Sequence, residues 1–176
     1  MNDTDTLIDQ LAARAGPVKR LASPGRRTLL WIALAVAIVA IIVAVLGARP
    51  GWWQDLAVPS AAIEWVASVM TSVLAAYAVF QISVPGRSPS WAWLPLPSAL
   101  LWLGGIGLGC LRDFGHLGTG AFTFQLGSAE CAWTIALISL PIGLLLLLMV
   151  RHAGVVRPGV TAMLTGLSAA ALSSAA

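Results

Sequence analysis

The sequence predicts an all-α membrane protein: a polytopic bundle of transmembrane helices, preceded by a short cytoplasmic amphipathic helix. Three observations carry this prediction. Of 176 residues, 59% are hydrophobic and only 10% are charged. Soluble domains carry about 25% charged residues, so most of this chain must face lipid or other membrane helices. Residues 29–48, LLWIALAVAIVAIIVAVLGA, contain no charge, no proline and one glycine near the end. A run of this length, at about 1.5 Å per residue, spans about 30 Å, the thickness of a bilayer's hydrocarbon core. Further apolar runs follow, separated by turns such as Pro85-Gly86-Arg87-Ser88-Pro89. A buried strand is too short to account for residues 29–48, and a cleaved signal peptide has a shorter core nearer the N-terminus.

The chain divides into a cytoplasmic segment, residues 1–27, and a transmembrane domain, residues 28–176. Within the first, residues 4–15 read as an amphipathic helix, with Leu7, Ile8, Leu11 and Ala15 on one face. Thr6 and Asp9 resemble a capping pair, and Asp3, Asp5 and Asp9 suit the positive end of a helix. Arg14 suits the other end, and Gly16-Pro17 stops the helix. An isolated helix this short is marginal in water, so it folds fully only against a partner or a membrane. Val18 and Leu21 flank Lys19-Arg20, and Ser23-Pro24-Gly25 forms a hinge.

Transmembrane helices are expected over about 28–48, 59–84, 91–111, 128–150 and 159–176. A short loop carrying Trp52 and Trp53 follows the first. Pro95 and Pro97 fall in the first turns of the third, where proline is tolerated. Residues 112–127 read as a Gly-rich loop, and Pro141 predicts a kink in the fourth helix. The fifth helix ends in Ser-Ser-Ala-Ala without flanking charge, which predicts that the natural protein continues.

Charge placement gives a direction. With the N-terminus in the cytoplasm, Arg14, Lys19, Arg20, Arg26, Arg27, Arg87, Arg151 and Arg157 lie inside, and only Arg49 and Arg112 lie outside. Trp31, Trp91 and Trp93 then fall at the inner interface, and Trp52, Trp53, Trp65 and Trp133 at or near the outer one.

No catalytic constellation stands in the sequence, and no cofactor is expected. The basic residues are scattered at membrane edges and form no stripe, which argues against direct nucleic-acid binding. Cys110 and Cys131 both fall toward the outer face, with Asp113, His116 and Glu130 near in sequence. A redox or soft-metal sensing site is one reading of this group, and the identity of any metal stays open. Plain packing of two small apolar residues is the other. Glu64 is an ionisable residue inside a span, close enough to the outer edge to reach water or to pair with Arg49 or Arg112. Gly105 and Gly109 form a small-xxx-small pair for close helix packing. A small transporter or channel is the rival class. It needs polar residues deep in the membrane, and here the helix centres hold little beyond Ser and Thr.

Several short stretches occur in one order along the chain: TLIDQLAARAGPVKRL at 6–21, RTLLW at 27–31, SVPGRS at 83–88, LPLP at 94–97, GCLRD at 109–113, and Cys131 with Ser139 and Pro141. Together they resemble the NrsF family, negative regulators of sigma F, which are bacterial inner-membrane anti-sigma factors. The resemblance implies a sixth helix and a later outer-face cysteine, neither of which this sequence contains. It implies that the N-terminal segment holds an extracytoplasmic-function sigma factor at the membrane, away from RNA polymerase. It further implies release on heavy-metal or oxidant stress, with Cys131 as the best match to a sensing cysteine and Cys110 as a weaker one. The residues expected to grip the partner are Leu7, Ile8, Leu11, Arg14, Val18, Lys19, Arg20 and Leu21. An apolar helix face in a protein groove is the mode that fits them, because the acidic polar face opposes an anionic lipid surface. The basic residues add steering toward acidic surfaces of a sigma factor.

Overall fold

The computed structural model describes residues 2–14, 22–47, 51–117, 126–151 and 157–175. All regular structure among them is helical. The elements are α1 (Asn2–Arg14), α2 (Pro24–Leu46), α3 (Trp52–Leu56), α4 (Pro59–Ile82), a 3-10 turn (Pro89–Trp93), α5 (Leu96–Leu117), α6 (Leu126–Val150) and α7 (Pro158–Ala175). Among the described residues, three segments are long and apolar enough to cross a membrane: Pro24–Leu46, Pro59–Ile82 and Pro89–Leu108. α6 is 25 residues long, and its described part holds a further apolar helix, Ile135–Val150. α7 is diluted by Ser, Thr and Gly.

Proline and glycine set the boundaries. Pro24, Pro59 and Pro158 each open a helix, where a missing N–H costs nothing. Gly47, at φ +87°, closes α2 and donates its N–H to the Val43 carbonyl at 2.9 Å. A β-carbon there would be strained. Gly86, at φ +85°, turns the chain after α4. α6 continues through Pro141 as one helix.

Four local expectations are corrected. α1 already begins at Asn2, so Thr6 lies inside the helix and is not its cap; Asp3 and Asp5 instead occupy the positively polarised first turn. Residues around Trp52 and Trp53 form a short helix, not a plain loop, because Gly51 reverses the chain and accepts from the Gln54 N–H at 2.8 Å. The third span enters through a 3-10 turn, since Pro95 lacks the N–H that would continue a helix into Leu96, while Pro97 falls in the first turn of α5, where no donor is needed. α5 then runs on to Leu117 where a loop was expected, because Gly115 alone does not break a helix.

α4 is the central helix, packing on α2, α5, α6 and α7. Ala75, Ala76, Ala78, Val79 and Phe80 are wholly buried. A core cluster joins Phe80 and Val79 to Trp31 and Ala35 of α2, to Ile138, Ile142, Leu146 and Val150 of α6, and to Leu164 of α7. The α6 residues recur every four positions, which places them on one buried stripe. The outward faces are apolar too. Leu29, Leu30, Val36, Ile41 and Val45 of α2 and Leu140 and Leu144 of α6 are exposed. Surface of this kind suits hydrocarbon and not water.

The closest helix pairing is between α4 and α7. Ser72 and Ser168 meet there, both fully buried. Ser168 Oγ donates to the Ser72 carbonyl at 2.9 Å, and the two hydroxyls lie 3.3 Å apart. Small residues let the backbones approach this closely.

Candidate partner-binding segment and its anchor

α1 leaves its apolar stripe open. Leu7, Ile8 and Leu11 are 56%, 56% and 61% exposed. Leu11 lies three residues from Ile8 and four from Leu7, so the three share a face. Every residue from Thr4 to Ala13 is exposed, so the rest of the described chain does not cover this helix. Asp5 and Asp9 are exposed on its polar side. Arg14 is the last residue of α1, and its side chain is outside the described set. Val18, Lys19, Arg20 and Leu21 lie outside the described residues.

The bundle is tied together at the end where this segment joins it. Arg27, in the first turns of α2, is buried. Its Nη2 donates to the backbone carbonyl of Met149 in the last turn of α6. Its guanidinium carbon stands 4.7 Å from the centroid of the Phe80 ring of α4. A cation suits both partners: helix C-terminal carbonyls are negatively polarised, and so is an aromatic face. Next to it, Thr28 Oγ1 donates to the Pro24 carbonyl at 2.9 Å, satisfying one hydroxyl locally. Three helix ends therefore meet at one side-chain head.

This contact fixes which end of the bundle is which. The start of α2 and the ends of α4 and α6 lie together, so Arg26, Arg27, Arg87 and Arg151 gather at one end. Arg157 joins them, because it lines a cavity shared with Arg87. Beside this end, Tyr77 and Trp91 make an edge-to-face pair at 5.9 Å, and Gln81 Nε2 donates to Tyr77 Oη at 2.6 Å. Aromatic residues with polar tips suit a membrane–water interface.

The opposite end holds Glu64 and Trp65. Glu64 packs against Gly105 of α5, where an added β-carbon would stand 3.4 Å from the carboxylate. Trp65 Nε1 donates to the Ala175 carbonyl of α7 at 2.8 Å. The helix directions carry the backbones at Cys110, late in α5, and Cys131, early in α6, toward this end. The side chains of Cys110, Cys131, Asp113, His116 and Glu130 are outside the described set, as is residue His152. Among the described residues no three His, Cys, Asp or Glu gather as a metal site.

The buried hydroxyls between α4 and α7 have a structural use. Ser68 donates to the Trp65 carbonyl at 2.8 Å, Thr71 to Ala67 at 2.7 Å and Thr165 to Thr161 at 2.7 Å. Back-bonding to the helix's own carbonyls satisfies each group without a ligand.

Arg27 is the residue that sequence reasoning placed only as one of several inner positive charges. Arg27, Trp31 and Ala35 recur every four residues and all three are buried, but α2 is apolar on all sides, so no local pattern singles out that face.

A family model described as NrsF, negative regulator of sigma F, matches residues 11–176. No curated protein and no solved structure matches the chain.

Proposed function

The chain belongs to the NrsF family of negative regulators of sigma F, and from that premise we propose that it is a membrane-bound anti-sigma factor whose N-terminal helix holds an extracytoplasmic-function sigma factor at the inner face of the bacterial cytoplasmic membrane. The family name makes a sigma factor the partner and regulation the role. The observation that carries the binding mode is the uncovered stripe of Leu7, Ile8 and Leu11. An amphipathic helix with a free apolar face is suited to a groove on a partner. Leu11 begins the stretch that the family model matches, and Leu7 and Ile8 precede it. Arg14, Val18, Lys19, Arg20 and Leu21 extend the same contact and add charge.

The remaining helices form the membrane domain, with α6 and α7 completing a bundle around α4. The basic end of that bundle faces the cytoplasm, in line with the bias of positive charge to that side. The opposite end, with Cys131 and Cys110, faces the oxidising compartment. Oxidation or metal binding at Cys131, with Cys110 as a second participant, shifts α6 and releases the sigma factor. Transport is disfavoured, since the Ser and Thr hydroxyls of the α4–α7 seam bond to backbone carbonyls and line no path.

The test of the binding mode is recovery of a sigma factor with the full chain and with Leu7→Asp/Leu11→Asp. The double variant is expected to lose the partner while staying in the membrane. Equal recovery would overturn the reading.

A further inference from the structure

Where the chain turns after α4, two arginines converge on one small cavity. It is lined by Ile82, Pro85, Gly86 and Arg87 from the turn, and by Arg157 from the start of α7. Gly86, at φ +85°, and the Arg87 N–H bonded to the Val84 carbonyl at 3.3 Å hold Arg87 back toward α7. Neither guanidinium has an ion-pair or hydrogen-bond partner among the described residues. Both arginines are exposed, so the cavity is open to an incoming group. α7 starts at Pro158, directly after Arg157, and its positively polarised end adds to the field.

We propose that the cavity between Arg87 and Arg157 binds a phosphate group, that of an anionic phospholipid headgroup. Its volume is about 50 Å³. One water needs roughly 10–15 Å³ measured in this way, so the space takes roughly four oxygen-sized groups, as many as a phosphate presents. Two guanidiniums can each meet a phosphate with paired N–H donors. Position selects the source. The cavity lies just beyond the last residue of α4, a helix long and apolar enough to cross a membrane, and Ile82, Pro85 and Pro89 give it an apolar side. Headgroup phosphates of a surrounding bilayer lie at that depth, and basic pockets between helices on the inner side recognise them. The inference rests on the membrane placement and is independent of the sigma-factor reading.

The test uses the purified full chain in an uncharged detergent. Its thermal midpoint is followed as phosphatidylglycerol, phosphatidylcholine or inorganic phosphate is added. Phosphatidylglycerol is expected to raise the midpoint, and phosphatidylcholine is not. Arg87→Gln/Arg157→Gln is expected to need at least about tenfold more phosphatidylglycerol for the same rise, as the loss of charge-assisted hydrogen bonds implies. Arg26→Gln/Arg151→Gln removes the same charge from the same end without touching the cavity, and keeps the response of the parent. An equal rise with millimolar inorganic phosphate, lost in the first variant only, upholds the phosphate site and replaces the lipid by a soluble source. Equal weakening in both double variants shows a general field and overturns the site. So does the absence of any phosphatidylglycerol effect, or stabilisation by polyglutamate in place of both phosphate probes.

Discussion

Arg27 and Met149 join the first turns of α2 to the last turn of α6 through one hydrogen bond from guanidinium to backbone carbonyl. The pair is 122 residues apart in sequence, and the same guanidinium covers the Phe80 ring. The N-terminal segment therefore enters a bundle whose helix ends are held in fixed relation.

Removing that head should loosen the bundle at this end. Arg27→Ala loses a charge-assisted hydrogen bond and a cation–π contact, together worth about 2–4 kcal/mol. The expected result is a clear fall in the thermal midpoint of the detergent-solubilised protein. Arg27→Lys should recover only part of it, because an ammonium lacks the planar fork. A parent-like midpoint for Arg27→Ala would mean that the contact contributes nothing to stability.

The α4–α7 seam offers a second test. Ser168→Ala removes the bond to the Ser72 carbonyl and should cost about 1 kcal/mol, typical of interhelical hydrogen bonds in membranes. Ser168→Leu should cost more, because both serines are fully buried and the added carbons have nowhere to go. Measured by unfolding in mixed micelles, the reverse order would show that the helices are not packed this closely.

Membrane sidedness is open to direct labelling. In a cysteine-free background, Val58→Cys and Ser88→Cys place thiols at opposite ends of α4, both at exposed positions. A membrane-impermeant maleimide applied to intact spheroplasts should label the first and spare the second. The opposite pattern would put the N-terminal helix outside and overturn the proposed cytoplasmic hook.

Sensing is tested at the cysteine. On the proposed sensing role, Cys131→Ser should abolish induction of the sigma regulon by metal or oxidant, while basal repression persists. Cys110→Ser should weaken the response. Normal induction in Cys131→Ser would make that residue a packing element only.

The sequence made α2 legible because an uncharged run of that length has one physical outcome. The turn at Pro85-Gly86 was legible for the same reason, since few residues tolerate a positive φ. Which face of each helix turns inward was not. α2 is apolar on all sides, so nothing in its pattern separates buried Trp31 from exposed Leu30. The pairing of Ser72 with Ser168 joins residues 96 apart, and no local pattern announces it. The extension of α5 to Leu117 was missed because two charges and a glycine read as a loop, although none of them stops a helix. For the candidate site, the stripe of Leu7, Ile8 and Leu11 was visible in the spacing. The use of Arg27 was not, because charge at a membrane edge reads as a topology signal before it reads as a contact.

If α1 is the hook proposed above, its uncovered state among the described residues bears on how fast the partner exchanges. A helix of 13 residues that the other described residues leave exposed is marginal by itself, so docking must also order it. That cost lowers the lifetime of the complex more than its rate of formation. Confinement at the membrane raises the local concentration of hooks and offsets weak individual contacts. Such a grip is quick to reverse: a change of about 1.4 kcal/mol in docking alters occupancy of the hook about tenfold.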